Sequence, residues 1–98
     1  MRYKRDKIKV NSRLLKGARV YAGMTQWDMA NALGVNQATY AAKELGKVPF
    51  YAIDILLISE RLGLGFDQIN AIFFENKLRY QSDNMVAPNG YSLTQNEV

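Results

Sequence analysis

The residues with the most chemistry to offer are basic and lie at the start of the chain. Arg2, Lys4 and Arg5 lead a run that continues through Lys7, Lys9, Arg13, Lys16 and Arg19, opposed only by Asp6. Eight positive side chains against one negative give residues 1–19 a net +7, while residues 20–98 hold five basic and eight acidic groups, a net −3. A basic arm on a near-neutral body is suited to contact with a polyanion; a solvated, frayed terminus would carry the same charges. Both readings stand at this point. Acid–base, nucleophilic and metal chemistry have little to work with. The chain has no cysteine and no histidine, which removes thiolate and imidazole ligands, the usual general base and the serine–histidine pair. The carboxylates are scattered. No metal, cofactor or small-molecule ligand is expected, and the chain is not expected to be an enzyme.

These residues need a small scaffold. Ninety-eight residues make one domain with one core and little room for a large cleft. An apolar share of 48% and a charged share of 22% are those of a globular chain. The clearest apolar run, Ile53 to Ile58, is interrupted by Asp54, far short of the roughly 20 residues that span a bilayer. No membrane contact is expected. No apolar run follows the basic start, so no secretory signal is read there, and the cytoplasm is the default location.

Helical periodicity and caps predict five helices. Residues 1–11 read as an arm, with Lys7–Val10 alternating as a short strand could. Ser12 is the expected N-cap of a first helix running to about Ala22, with Leu14, Leu15, Ala18, Tyr21 and Ala22 on its inner face. Thr25 caps the second helix and Asp28, three residues on, completes a capping box. Met29, Ala30 and Leu33 form its buried stripe, and Gly34 ends it. Asn36 caps a third helix from Gln37 to Leu45, stopped by Gly46. A fourth runs from Ala52 to Leu62, apolar on so wide a face that it should be covered on more than one side. A fifth runs from Phe66 to about Lys77, with Ile69, Ile72 and Phe73 inward. After Arg79 the texture is polar. Pro88-Asn89-Gly90 marks a turn between Asn84–Ala87 and Tyr91–Thr94, either a small hairpin or, more simply, a loose tail. The expected organisation is a basic arm (1–11), an all-α domain (12–79) and a tail (80–98).

Within that domain, residues 25–46 place two short helices across the turn Gly34-Val35-Asn36. Ala30 is small where the helices approach, and Val35 plugs the corner. This is the specification of a helix-turn-helix, whose second helix enters the DNA major groove.

Residues 12–74 resemble the lambda-repressor-like (XRE/Cro) helix-turn-helix family of bacterial and phage regulators. The matching string is Met24-Thr25-Gln26-Trp27-Asp28-Met29-Ala30, then Leu33-Gly34-Val35-Asn36-Gln37-Ala38-Thr39-Tyr40, then Lys43-Glu44 and Gly46-Lys47. The resemblance implies a five-helix DNA-binding domain that regulates transcription as a repressor or Cro-like protein. Its partner would be double-stranded operator DNA, bound as a homodimer. Thr25 and Gln26 would meet phosphate at a helix N-terminus, with Gln26 also bracing a base-reading side chain. Asn36, Gln37, Ala38 and Thr39 would open the recognition helix. Gln37 can bond bidentately to adenine, whereas Ala38 and Ala42 offer only a methyl to thymine. Lys47 would contact phosphate, and Arg2, Lys4 and Arg5 would add phosphate or minor-groove contacts. Arg19 and Glu44 match a partly buried ion pair, and Tyr40 a core knob.

Two departures keep a second function open. Ala38, Ala41 and Ala42 make the recognition helix poor in hydrogen-bonding groups, and Lys43 stands where many members have an apolar residue. A domain of this shape could instead bind a partner repressor protein without reading DNA. Specificity could also rest on DNA shape or on two half-sites.

Overall fold

Three of the five helices begin at a residue whose side chain caps them: Asn11, Thr25 and Asn36. The computed structural model describes residues 8–79. It contains α1 (Ser12–Tyr21), α2 (Gln26–Leu33), α3 (Gln37–Glu44), α4 (Ala52–Leu62) and α5 (Phe66–Phe73). There is no strand among the described residues, so the domain is all-α. The strand expected at Lys7–Val10 does not form over its described part: Ile8, Lys9 and Val10 are irregular. Asn11 follows, its N–H donating to the Ile72 carbonyl at 2.7 Å, so this segment straps onto α5. Arg2, Lys4, Arg5 and the hairpin or tail of 80–98 lie outside the described residues.

The caps are local chemistry and mostly stand as expected. Thr25 accepts the Asp28 N–H at 3.0 Å and Asp28 accepts the Thr25 N–H at 2.8 Å, the reciprocal box that satisfies two orphan donors. Asn36 accepts the Thr39 N–H at 2.8 Å. Gly34 ends α2 at φ 72°, a left-handed conformation that costs other residues about 1–2 kcal/mol. The first cap is displaced by one residue. Asn11, not Ser12, accepts the Leu14 N–H, and the freed Ser12 hydroxyl donates to the Glu44 carbonyl at 2.6 Å.

The core collects one face of every helix: Leu15 from α1, Met29 and Ala30 from α2, Tyr40 from α3, Ile55 and Ile58 from α4, Ile72 and Phe73 from α5. Phe50, in the loop before α4, meets Phe73 edge to face at 5.3 Å. Each of the larger aliphatic and phenylalanine side chains contributes roughly 1.5–3 kcal/mol by leaving water. The small Ala30, 1% exposed, lets α2 and α3 approach, and they form the most extensive helix pair.

Three expectations are corrected. Leu14 and Tyr21 do not face inward; Tyr21 is 94% exposed, because Arg19 occupies the inner face of α1. Ile53 and Leu56 on α4 are exposed, so its buried face is narrower than expected, although α2 and α5 both pack against it. Helix α3 ends at Glu44 with Leu45 as its cap, and α5 stops at Phe73 instead of Lys77. Beyond α5, Glu75 and Asn76 turn left-handed and Asn70 clamps the returning chain, exchanging two hydrogen bonds of 3.0 Å with Leu78.

Lys43 is the residue least expected inside. It is 4% exposed, with its ammonium 3.1 Å from Asp54 and 2.8 Å from the Pro49 carbonyl. The rings of Tyr51 and Phe50 lie 5.2 and 5.6 Å away, within cation–π range. Asp54 also accepts the Tyr51 N–H at 2.9 Å, so the pair fastens α3 to the start of α4.

Candidate nucleic-acid interface

The site is built outward from a buried carboxylate. Glu44, on the last turn of α3, is 4% exposed. A carboxylate only accepts hydrogen bonds, and four donors surround this one. The Arg19 guanidinium grips it with Nε at 2.7 Å and Nη2 at 3.2 Å, the two-pronged arrangement that fixes direction as well as distance. Tyr40 Oη donates at 3.1 Å and Gln26 Nε2 at 3.0 Å. Arg19 also donates to the Met24 carbonyl at 3.0 Å, tying α1 to the approach of α2. Burial alone pushes the Glu44 carboxyl up, but the bonds from Arg19, Gln26 and Tyr40 outweigh it and hold the group below its ordinary value. The same burial, with the Glu44 charge and bond, pushes the Tyr40 hydroxyl well up, so it stays a donor. The bond to Glu44 raises Arg19 further.

This carboxylate sets the polarity of two amides. Gln26 must turn its NH2 toward Glu44, which turns its carbonyl outward. Gln37 then points its own Nε2 at that carbonyl, at a longer 3.5 Å. The Gln37 carbonyl and its second N–H make no hydrogen bond among the described residues. The two glutamines are the first residues of α2 and α3, so two helix N-termini, each with unsatisfied backbone N–H groups, open side by side. Such ends favour anions.

Thr25, Gln26 and Gln37 line one shallow concavity together with Lys16, Trp27, Ala41 and Leu45. Lys16, read in the sequence only as part of the basic run, and Leu45 were not expected at this site, because only the packing of α1 against α3 brings them here; the charge of Lys16 was the sole available signal. Trp27 is 59% and Leu45 63% exposed. Asn36, Gln37 and Ala38 are exposed along the start of α3, and Thr39 and Ala42 are half-buried. Lys47 is exposed, its N–H bonded to the Ala42 carbonyl at 2.8 Å. The expected ion pair between Arg19 and Glu44 is present, and Tyr40 is fully buried. Among the described residues no cluster of histidine, cysteine, aspartate or glutamate could hold a metal ion. No helix among them is long and apolar enough to cross a membrane.

No family model matches this chain. No curated protein matches it either.

Proposed function

We propose that this chain is a helix-turn-helix DNA-binding regulator of the lambda-repressor-like kind, reading an operator as a dimer with α3 in the major groove. The observation that carries this reading is the relay from Glu44 through Gln26 to Gln37. It turns the Gln26 carbonyl outward and places it 3.5 Å from the exposed Gln37 amide, at the mouth of two adjacent helix N-termini. An amide placed this way presents a donor and an acceptor together, the complement of adenine's N7 acceptor and N6 donor. The N-termini and the exposed Lys16 and Lys47 supply the phosphate grip.

In this mechanism Thr25, Gln26 and the backbone amides of early α2 hold phosphate. Gln37 reads a base, Asn36 and Thr39 flank it, and Ala38 and Ala42 touch thymine methyls. The basic residues 2–9 add sequence-independent affinity. Titrating a random duplex at several salt concentrations tests the electrostatic part. About six neutralised phosphates give log K against log salt a slope near −5. Selection from a randomised duplex pool then supplies a preferred site, and Gln37→Ala is measured on that site and on the random duplex. A loss of about 1–3 kcal/mol confined to the preferred site supports base reading; equal losses on both refute it.

One observation favours a second reading. The α3 face is largely methyl: Ala38 and Ala42 neighbour Ala41 on the helix, and Ala41 shares a concavity with the exposed Leu45 and Trp27. A partner repressor could bury that surface. Absence of duplex binding at low salt, with a stable complex formed with the product of a neighbouring regulator gene, would establish it.

A further inference from the structure

Helix α1 carries an outer face that neither the core nor the duplex-reading site uses. Arg13, Leu14, Gly17, Val20 and Tyr21 recur at spacings of one, three and four residues, so they share one stripe. All five are exposed; Leu14 is 47%, Val20 59% and Tyr21 94% accessible. Three large apolar side chains on one stripe of a ten-residue helix are a substantial patch to leave in water.

Gly17 sits at the centre of that stripe, inside the helix. A Cβ at this position would meet nothing within 4 Å, so nothing within the described chain requires glycine there. Glycine in a helix interior is unfavourable relative to alanine. A position that bears this cost without an internal cause is explained by an approach from outside, where a missing side chain lets another backbone come near.

The stripe is symmetric about Gly17. Arg13 lies four residues before it and Tyr21 four after; Leu14 lies three before and Val20 three after. When two copies of α1 cross antiparallel at Gly17, with these four-residue ridges superposed, the crossing is near 50°, the commonest helix-pair class. A two-fold axis then sets Gly17 on its own mate and Arg13 over the partner's Tyr21, a cation on an aromatic face. Leu14 and Val20 close the two flanks, each beside its own mate. The adjoining groove between α1 and α5 is walled by Arg13 and Asp67, opposite charges that form no ion pair with each other. A face with both signs on its two walls suits a second copy of itself.

We propose that α1 is a self-association surface, and that two copies of this chain dimerise across it with Gly17 on the two-fold axis. This surface stands independently of duplex binding.

Sedimentation equilibrium of the full chain, without DNA, reads the dimer, which is expected with a dissociation constant below about 1 mM. Gly17→Ala separates interface from fold. It should raise the melting temperature of the monomer, by removing a helix-interior glycine, while weakening dimerisation at least tenfold. Tyr21→Lys, at a fully exposed position, should weaken dimerisation with no change in monomer melting. The chain has no cysteine of its own, so Gly17→Cys introduces a single thiol on the axis, which should form an intermolecular disulfide under mild oxidation. Tyr21→Cys should not, because its mate lies about 12 Å away along the helix. A chain monomeric up to about 1 mM overturns the proposal. So does a Gly17→Ala dimer of unchanged affinity, or cross-linking through position 21 in preference to 17.

Discussion

Removing Arg19 probes the buried network directly. In Arg19→Met the side chain keeps most of its volume on the inner face of α1, but Glu44 loses a guanidinium that binds it at 2.7 and 3.2 Å. Both partners are nearly sealed, their side chains 9% and 5% exposed. Leaving one charge of such a pair buried costs about 3–5 kcal/mol. That is a large share of the roughly 5–15 kcal/mol holding a domain of this kind. Each kcal/mol lowers the melting temperature by roughly 4–8 °C at this size. The deficit also depends on pH. In the native protein Glu44 is held below its ordinary value of 4.5, so its contribution is fully present above that value and is lost as pH falls through the lower folded value. In Arg19→Met the burial that pushes the carboxyl up is no longer offset by a cation, and protonation on acidification relieves the penalty. The gap between the two proteins should therefore be widest near pH 7 and shrink toward pH 4. Urea unfolding followed by circular dichroism at several pH values measures it. The double variant Arg19→Met/Glu44→Gln, in which no charge is orphaned, should recover a good part of the loss at pH 7. A gap under about 1 kcal/mol at neutral pH, or one that stays constant on acidification, refutes the reasoning.

Other expectations rest on separate contacts. Lys43→Met should lower the urea midpoint by the equivalent of about 3 kcal/mol, because Asp54 stays buried with only the Tyr51 N–H to bond. Asn70→Ala should cost about 2 kcal/mol and speed hydrogen exchange at the Leu78 amide, whose acceptor it removes. Unaltered exchange there would show that the clamp does not persist in solution. Ser59→Ala should be neutral or slightly stabilising in thermal melts, since the buried Ser59 hydroxyl has no hydrogen-bond partner among the described residues. Deleting residues 1–9 should lower affinity for every duplex and flatten the salt slope; an unchanged slope removes the arm from the binding mechanism.

What was legible in the sequence is what is decided locally. Thr25 with Asp28, Asn36, and the left-handed Gly34 fix their turns within four residues, and the structure keeps them. Apolar spacing placed Met29, Ala30, Ile72 and Phe73 inside. The departures are decided at a distance. Tyr21 fits the apolar face of α1 by spacing, but Arg19 displaces it because Glu44, twenty-five residues on, needs a cation. Lys43 stands out in the sequence only as a lysine where many members of the resembled family are apolar; that Asp54 and two aromatic rings close over it is decided by packing. The early end of α5 depends on Asn70 catching Leu78 eight residues away, a clamp that helical periodicity does not encode. At the candidate site Gln26, Gln37, Arg19 and Glu44 were found individually. Their order of donation, which orients the outer amide, required the packing of α1 on α3.

Helix α3 divides its labour by side. Tyr40, Lys43 and Glu44 on its inner half are each locked to a different neighbour. Gln37 and Ala38 at its outer end, with the half-buried Ala41 and Ala42, carry little of that fastening. Exchanges at exposed positions such as Gln37 and Ala38 usually shift stability by no more than about 0.5 kcal/mol. The scaffold can therefore accept new outward residues with little folding penalty, which makes this short helix a natural cassette for acquiring altered preferences by substitution.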